Sequence, residues 1–586
     1  MKLKSILLLV ILTLLFFSFQ YIIRDFEKAE TTIYINASIL TLEDEEPTAE
    51  AMLVKNGKIN AIGTNEEIEL LKNDQIKIVD LKGGFILPGF IDSHSHVALS
   101  SFLYNMVDLS GFKHNTAEEV WNYLRATVKT KKPGEWIVCK GIDPILVEDL
   151  ESPNITFLDE IAPENPIILV SQSLHTYWAN SLTFEKVGIN NETKDPSKTS
   201  YYDKDENGSL TGLIAEQEAF IPILEQLKKE IITSKSLMNA TTQVLKDYAK
   251  NGNTSIVSAG ITINDAKPLR LYEHLSTAKS SFLNQFLASF GVLPKRIQYP
   301  RHFMYIRHDK DFLLPKKRAT DNDFYAILGV KHWYDGSPYT GSMYINEPYM
   351  VSDLTKNGLH IPEEYRGSPL IKKDELVSFI KKHHQNGWQI AIHTQGDIAN
   401  ADVLKAFQKV DDQMDITNSR HRIEHCLLLS DTSIDKLKDL NISPSFHINH
   451  LYYYGRALKN HIIGEERANK ILPIASAQNK NIKYSMHADQ PMFESKPFRL
   501  IQTAIERTTK EGDTLGYNQR INILNGIKSM TINAAWQIHM EDKIGSLKKG
   551  KYADFIILDK NPLKTPSNQL ENIKILQTFI NGNEVE

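Results

Sequence analysis

From about residue 250 onward the chain alternates short, almost uniformly apolar runs with stretches whose apolar positions recur every three or four residues. Runs apolar on both sides of an extended chain suit strands covered on both faces, and the intervening period suits amphipathic helices. The alternation predicts an α/β barrel. Eight strands can be counted. The first is the stretch from Phe85 to His96, and the others are Thr254–Val257, Phe282–Phe290, Tyr325–Trp333, Trp388–His393, His421–His425, Ile442–Phe446 and Ile482–Asp489. Helical patterns such as Lys373–Asn386 and Asp431–Leu440 separate the later members.

One interval breaks the rhythm. Roughly Tyr104 to Lys246 lies between the first two strands, far more than a usual connection, so a separate insert is expected there. It has strand-like runs of its own, Glu135–Cys139 and Pro166–Val170, and a polar loop or hairpin over 190–208. Because it follows directly on the first strand, it is expected to stand over the barrel mouth. Short strands also precede the barrel, at 31–35, Ala51–Val54, Lys58–Ile62 and Ile76–Val79, with Asn56-Gly57 as a hairpin turn. Others follow it, at Ala553–Leu558 and Ile573–Ile580.

The first residues carry two lysines, Lys2 and Lys4, and then an apolar run from Ile6 to Ile23. A basic start before an apolar core is the pattern of an export signal, yet no small-residue cleavage site follows it. The run approaches the roughly 20 residues of a spanning helix. It therefore reads as an uncleaved membrane anchor, with a cleaved signal as the alternative. Lysines retained inside would leave the catalytic body outside the cytoplasm, periplasmic or extracellular.

Composition narrows the classes. A chain of 586 residues needs more than one core, and a net charge of −5 gives no electrostatic case for nucleic acid. The two cysteines, Cys139 and Cys426, sit in apolar surroundings and read as buried, inert thiols. The expected partners are a small-molecule substrate, the membrane through the N-terminal helix, and a second copy of the chain in a homodimer.

Candidate chemistry lies at the strand ends. His94 and His96 end the first strand one residue apart, so an extended backbone points both the same way, with Asp92 one step behind. Lys331, His393, His425 and Asp489 each close a later apolar run. A His-x-His pair, a lysine, two histidines and an aspartate on five strand ends, in that order, form a metal-binding pattern, and imidazole donors suit Zn2+ or a similar divalent transition metal better than magnesium or calcium.

The motifs Pro88-Gly-Phe-Ile-Asp-Ser-His-Ser-His96, Gly329-Val-Lys-His-Trp-Tyr-Asp-Gly336, Ile392-His-Thr-Gln-Gly-Asp397, Arg422-Ile-Glu-His425 and Gly545 through Leu558 resemble those of the amidohydrolase superfamily. They look most like its family 3 branch, which includes the N-substituted formamide deformylases. The resemblance runs from about Tyr34 to the C-terminus. It implies a (β/α)8 TIM barrel with a metal site at the C-terminal strand ends. It also implies a composite β-sandwich built from 31–84 and 541–586, a barrel over 85–540 carrying the insert at about 105–245, and the anchor or signal over 1–30.

Within the insert, Leu174–Asn180 and Leu210–Glu216 match the family, which makes His175 and Glu216 candidate substrate contacts. Ser173-Leu174 stands where relatives commonly carry Asp-Gly. Lys331 needs a lost proton before it can serve a metal. Either it is carboxylated, as in related barrels where a lysine carbamate bridges two ions, or it is an unmodified structural lysine and the site holds one.

Coordination to zinc lowers the pKa of water from about 15.7 to about 7. Asp489 would then take the proton of the attacking water and return it to the leaving nitrogen. The reading is a hydrolase of amide, formamide or cyclic imide bonds. Its alternatives are an esterase on the same site and a membrane-tethered metal-binding protein without turnover. The aromatic stretch His447–Gly455 hints at an apolar or ring-bearing ligand.

Overall fold

The computed structural model describes Thr13 and residues 30–585, apart from 198–199, 277–281, 295–296 and 319–321. Its centre is an eight-stranded parallel sheet. The strands are Phe90–Ser95 (β1), Asn253–Ile261 (β2), Arg301–Arg307 (β3), Tyr325–Trp333 (β4), Gln389–Thr394 (β5), Arg422–His425 (β6), Ser443–Phe446 (β7) and Ser485–Met486 (β8). They pair in chain order. Between β8 and β1 the Ser93 and Ser485 hydroxyls lie 2.8 Å apart, and the His96 amide donates to the Gln490 carbonyl at 2.7 Å. The sheet is a nearly closed barrel of the TIM type. Ile91, Val257, Phe303, Tyr305, Leu328 and Ala391 pack in one cluster with Ala534 and Ala535 of the helix Ile532–Gln537.

The third strand is a correction. Phe282–Phe290, expected as a strand, holds the helix Phe282–Ser289, and Arg301–Arg307 supplies β3. The apolar residues Phe282, Leu283, Phe286, Leu287 and Phe290 repeat with the helical period, whereas β3 hides between two arginines. Arg301 is fully buried, and its Nε and a terminal nitrogen donate to the two Asp554 oxygens at 2.6 and 3.0 Å.

Asp554 precedes Phe555–Leu558, which pairs antiparallel with Phe85–Pro88 just ahead of β1. These strands belong to a six-stranded sheet with Asn583–Glu584, Ile575–Ile580, Ser38–Leu40 and Thr48–Ala49. A four-stranded sheet of Lys58–Gly63, Ala51–Lys55, Thr32–Ile35 and Lys77–Asp80 shares its apolar core through Tyr34, Met52, Ile86, Phe555 and Phe579. Asn56 and Gly57 both have positive φ, as a two-residue hairpin turn requires.

Between β1 and β2 stands a second six-stranded sheet, in the order Tyr201–Lys204, Leu210–Ala215, Thr176–Ala179, Ile167–Ser171, Ile137–Ile142, Val107–Asp108. It meets the barrel through hydrogen bonds and aromatic contacts. Gln172 Nε2 donates to the Met492 carbonyl at 2.9 Å, and the Tyr454 hydroxyl donates to Asp143 at 2.8 Å. Phe112, Tyr453 and Phe493 stack between insert and barrel with centroids 4.8–5.3 Å apart. Part of the aromatic stretch after β7 thus joins two pieces of the protein. Both cysteines are buried and free.

Among the described residues no helix is long and apolar enough to cross a membrane. The expected anchor, Ile6 to Ile23, lies outside the described residues except for Thr13. With no helix of the roughly 20 apolar residues a bilayer demands among the described residues, the transmembrane signal-anchor, the membrane partner and the placement of the catalytic body outside the cytoplasm are withdrawn.

Candidate metal centre

The C-terminal ends of the barrel strands bring the candidate residues together. His94 Nε2 and His96 Nε2 lie 3.3 and 3.0 Å from one oxygen of Asp489, just beyond β8. The β1–β2 register shifts between Ile256 and Ser258, opposite Asp92 and Ser95, and this bulge sets the approach of β1 to the rim. Asp92 is buried, accepts the His94 amide at 3.2 Å, and is pushed up to about 7 by burial.

β6 contributes more than its single expected histidine. Arg422 and Glu424 share a face, with Glu424 accepting from Arg422 at 2.8 and 3.0 Å and lying 2.6 Å from His94 Nδ1. Strict alternation would turn His425 away with Ile423. Instead His425 has φ +74°, a left-handed backbone that costs about 1–3 kcal/mol away from glycine. Its ring lies 4.4 Å from that of His393 and 4.8 Å from that of His94.

His393, near the end of β5, has Nδ1 3.3 Å from Asp335 Oδ1 without forming a hydrogen bond. Asp335 is itself fixed by the amides of Gln395, Gly396 and Tyr344 at 2.9–3.1 Å. Lys331 on β4 is fully buried with no hydrogen-bond partner on Nζ, and burial pushes it down to about 8. His175 and Glu216 pair with each other at 2.9 Å in the insert, half exposed, and no bond joins them to this cluster.

Three further histidines line the cluster: His447 and His450 after β7, and His487 after β8. His487 stacks on His94 with centroids 4.5 Å apart, and His450 Nδ1 lies 2.6 Å from the Tyr339 hydroxyl. With Glu424 and Asp335, they were missed as site residues in the sequence. Glu424 was legible, because it shares a strand face with Arg422 inside the motif Arg422-Ile-Glu-His425. His487 stands two residues before Asp489, the same spacing as His94 and His96.

Electrostatics suit a cation. Burial holds His94, His425 and His487 well below their ordinary range and pushes His447 down to about 3, so these imidazoles are neutral with free lone pairs. Burial raises the Asp489 carboxyl, but the neighbouring His94 and His96 outweigh it and hold the group well below its ordinary value. His393 Nδ1, His425 Nδ1, His447 Nε2, both nitrogens of His487, Lys331 Nζ and Asp489 Oδ1 are buried without hydrogen-bond partners. Orphaned buried donors and acceptors are costly, and ligand atoms of His425, His447 and Asp489 lie within 4.8 Å of one another. Ligand atoms of His94, His96 and Asp489 lie within 4.8 Å of one another. The residues present fit a divalent metal.

A parallel barrel with imidazoles, a lysine and a carboxylate at its C-terminal rim defines a metal-dependent hydrolase. The sequence profile of the amidohydrolase family matches residues 77–586, and the chain belongs to that family. It is 25% identical over 558 residues to the N-substituted formamide deformylase of Arthrobacter pascens, covering 94% of this chain and 97% of that one. It is 26% identical to Protein LONG AFTER FAR-RED 3 of Arabidopsis thaliana, covering 94% and 90%. The crystal structure of an uncharacterized metal-dependent hydrolase from Pyrococcus horikoshii superposes with a TM-score of 0.68 at 22% identity, over 92% of this chain and 99% of that one.

Proposed function

We propose that the protein hydrolyses a non-peptide carbon–nitrogen bond of a small molecule, an amide, formamide or cyclic imide, at the rim site. The observation that carries this reading is the grouping of ligand atoms of His94, His96, His425 and His447 around Asp489. Likeness to a formamide deformylase supports the bond class. His94, His96, His393, His425 and Asp489 would hold the metal, and imidazole donors favour zinc. Lys331 joins them if carboxylated, for which its buried, unpartnered amine is suited.

A bound zinc ion polarises a carbonyl oxygen and brings water toward ionisation at neutral pH. Asp489, ionised and aimed by His94 and His96, receives the proton of the attacking water and delivers it to the leaving nitrogen. Glu424 holds His94 by Nδ1 and so presents Nε2 toward Asp489. His175 and Glu216 remain proposed substrate contacts, carried by the insert that meets the mouth at Gln172.

Metal-loaded protein assayed against amides, N-substituted formamides, cyclic imides and esters tests the reading. Turnover of a carbon–nitrogen substrate that is lost on chelation is expected. Turnover of esters alone would move the assignment to an esterase, and no turnover of any would leave a metal-binding protein.

A further inference from the structure

His447 follows β7 directly and is buried, yet its Nε2 has no hydrogen-bond partner. The Ala488 backbone is a hydrogen-bonding neighbour of the ring. An imidazole fixed by Nδ1–H on a backbone carbonyl presents the lone pair of Nε2, which is how metal-ligating histidines are oriented. The ring packs at 4.1 Å against His450 and 5.1 Å against Phe493. Packing alone would be served as well by an apolar ring, without the cost of an orphaned nitrogen.

The donor atoms of His447, His425 and Asp489 lie within 4.8 Å of one another. A tetrahedral ion with bonds of about 2.0–2.1 Å draws its donors to roughly 3.4 Å apart, so small ring movements close the set. Asp489 also belongs to the set of His94 and His96, and a carboxylate has two oxygens to share. We infer that His447 is a metal ligand, forming with His425 and Asp489 a second ion seat beside that of His94, His96 and Asp489. Two ions can then be held whatever the state of Lys331. This rests on the reading of the rim as a metal centre.

The test is metal uptake, read without any substrate. Chelator-stripped full-length protein is titrated with Co2+ in bicarbonate-free buffer, following bound metal by elemental analysis and the cobalt absorption bands. Wild type should bind two equivalents. His447→Ala should bind the first normally and the second at least ~100-fold more weakly, with a changed cobalt spectrum. His447→Gln, which retains volume and an amide for the Ala488 carbonyl, replaces the alanine variant if that does not fold. A His447 variant with unaltered second-ion affinity and spectrum overturns the inference, as does a wild type that binds a single ion. If His94→Ala loses metal while His447→Ala does not, only His447 is misassigned. If neither changes uptake, the metal centre itself is wrong.

Discussion

His96–Asp489 at 3.0 Å on the barrel rim and His175–Glu216 at 2.9 Å in the insert are histidine–carboxylate pairs of nearly equal length. What separates them is water. The side chains of the insert pair are 48% and 44% exposed, against 23% and 13% on the rim. An exposed pair is worth about 0–1 kcal/mol and is screened by salt. On the rim, burial keeps the surrounding imidazoles neutral while the carboxylate stays ionised, so lone pairs and one negative charge face a common point. Residue type does not make a metal site; shared desolvation does.

The contrast is sharpest in turnover. Asp489→Asn should keep at least one metal and lose about 10²- to 10⁴-fold in rate at full occupancy, because proton transfer is removed. A wild-type rate restored by excess zinc would reduce Asp489 to a ligand and weaken the distinction.

Stability comes next. Glu424→Gln leaves Arg422 buried without its counter-charge, and breaking such a pair typically costs about 3–5 kcal/mol. Denaturant unfolding should show a drop of that order, and an unmoved midpoint would mean that Arg422 finds another partner.

A smaller effect belongs to the seam between insert and barrel. Burial pushes Asp143 up to about 6, opposed by the Tyr454 hydroxyl, whereas a free aspartate titrates near 3.9. The folded chain therefore holds this proton more tightly than the unfolded one. Its contribution makes stability fall as pH rises from about 4 to about 6, by at most roughly 3 kcal/mol. Asp143→Asn should flatten that part of the profile, and curves for wild type and variant that run parallel over this window would contradict it.

Least of all should follow from Glu216→Gln. A stability change under about 1 kcal/mol is expected, with metal content unchanged. Loss of metal would erase the difference between the two pairs.

Much of this contrast was legible in the sequence, because the barrel strands are apolar on both faces and each candidate ligand closes one. The exceptions have physical causes. Phe282–Ser289 is as apolar as a strand but has the helical period, and β3 carries a buried arginine that masks it. Asp335 acts through a neighbouring residue, so no spacing rule marks it. His425 faces its partners only through a left-handed backbone, which nothing in a strand pattern announces.

The pair of Arg301 and Asp554 sets an order of events at birth. Arg301 lies on the third strand of the barrel, and the carboxylate that neutralises it is 253 residues further along. A buried guanidinium without that partner is several kcal/mol out of balance. Domains generally fold as units during synthesis, but this barrel cannot settle its own third strand until almost the whole chain has left the ribosome. Premature stops ahead of residue 554 should therefore yield no folded barrel, even though every proposed metal ligand would already have been made.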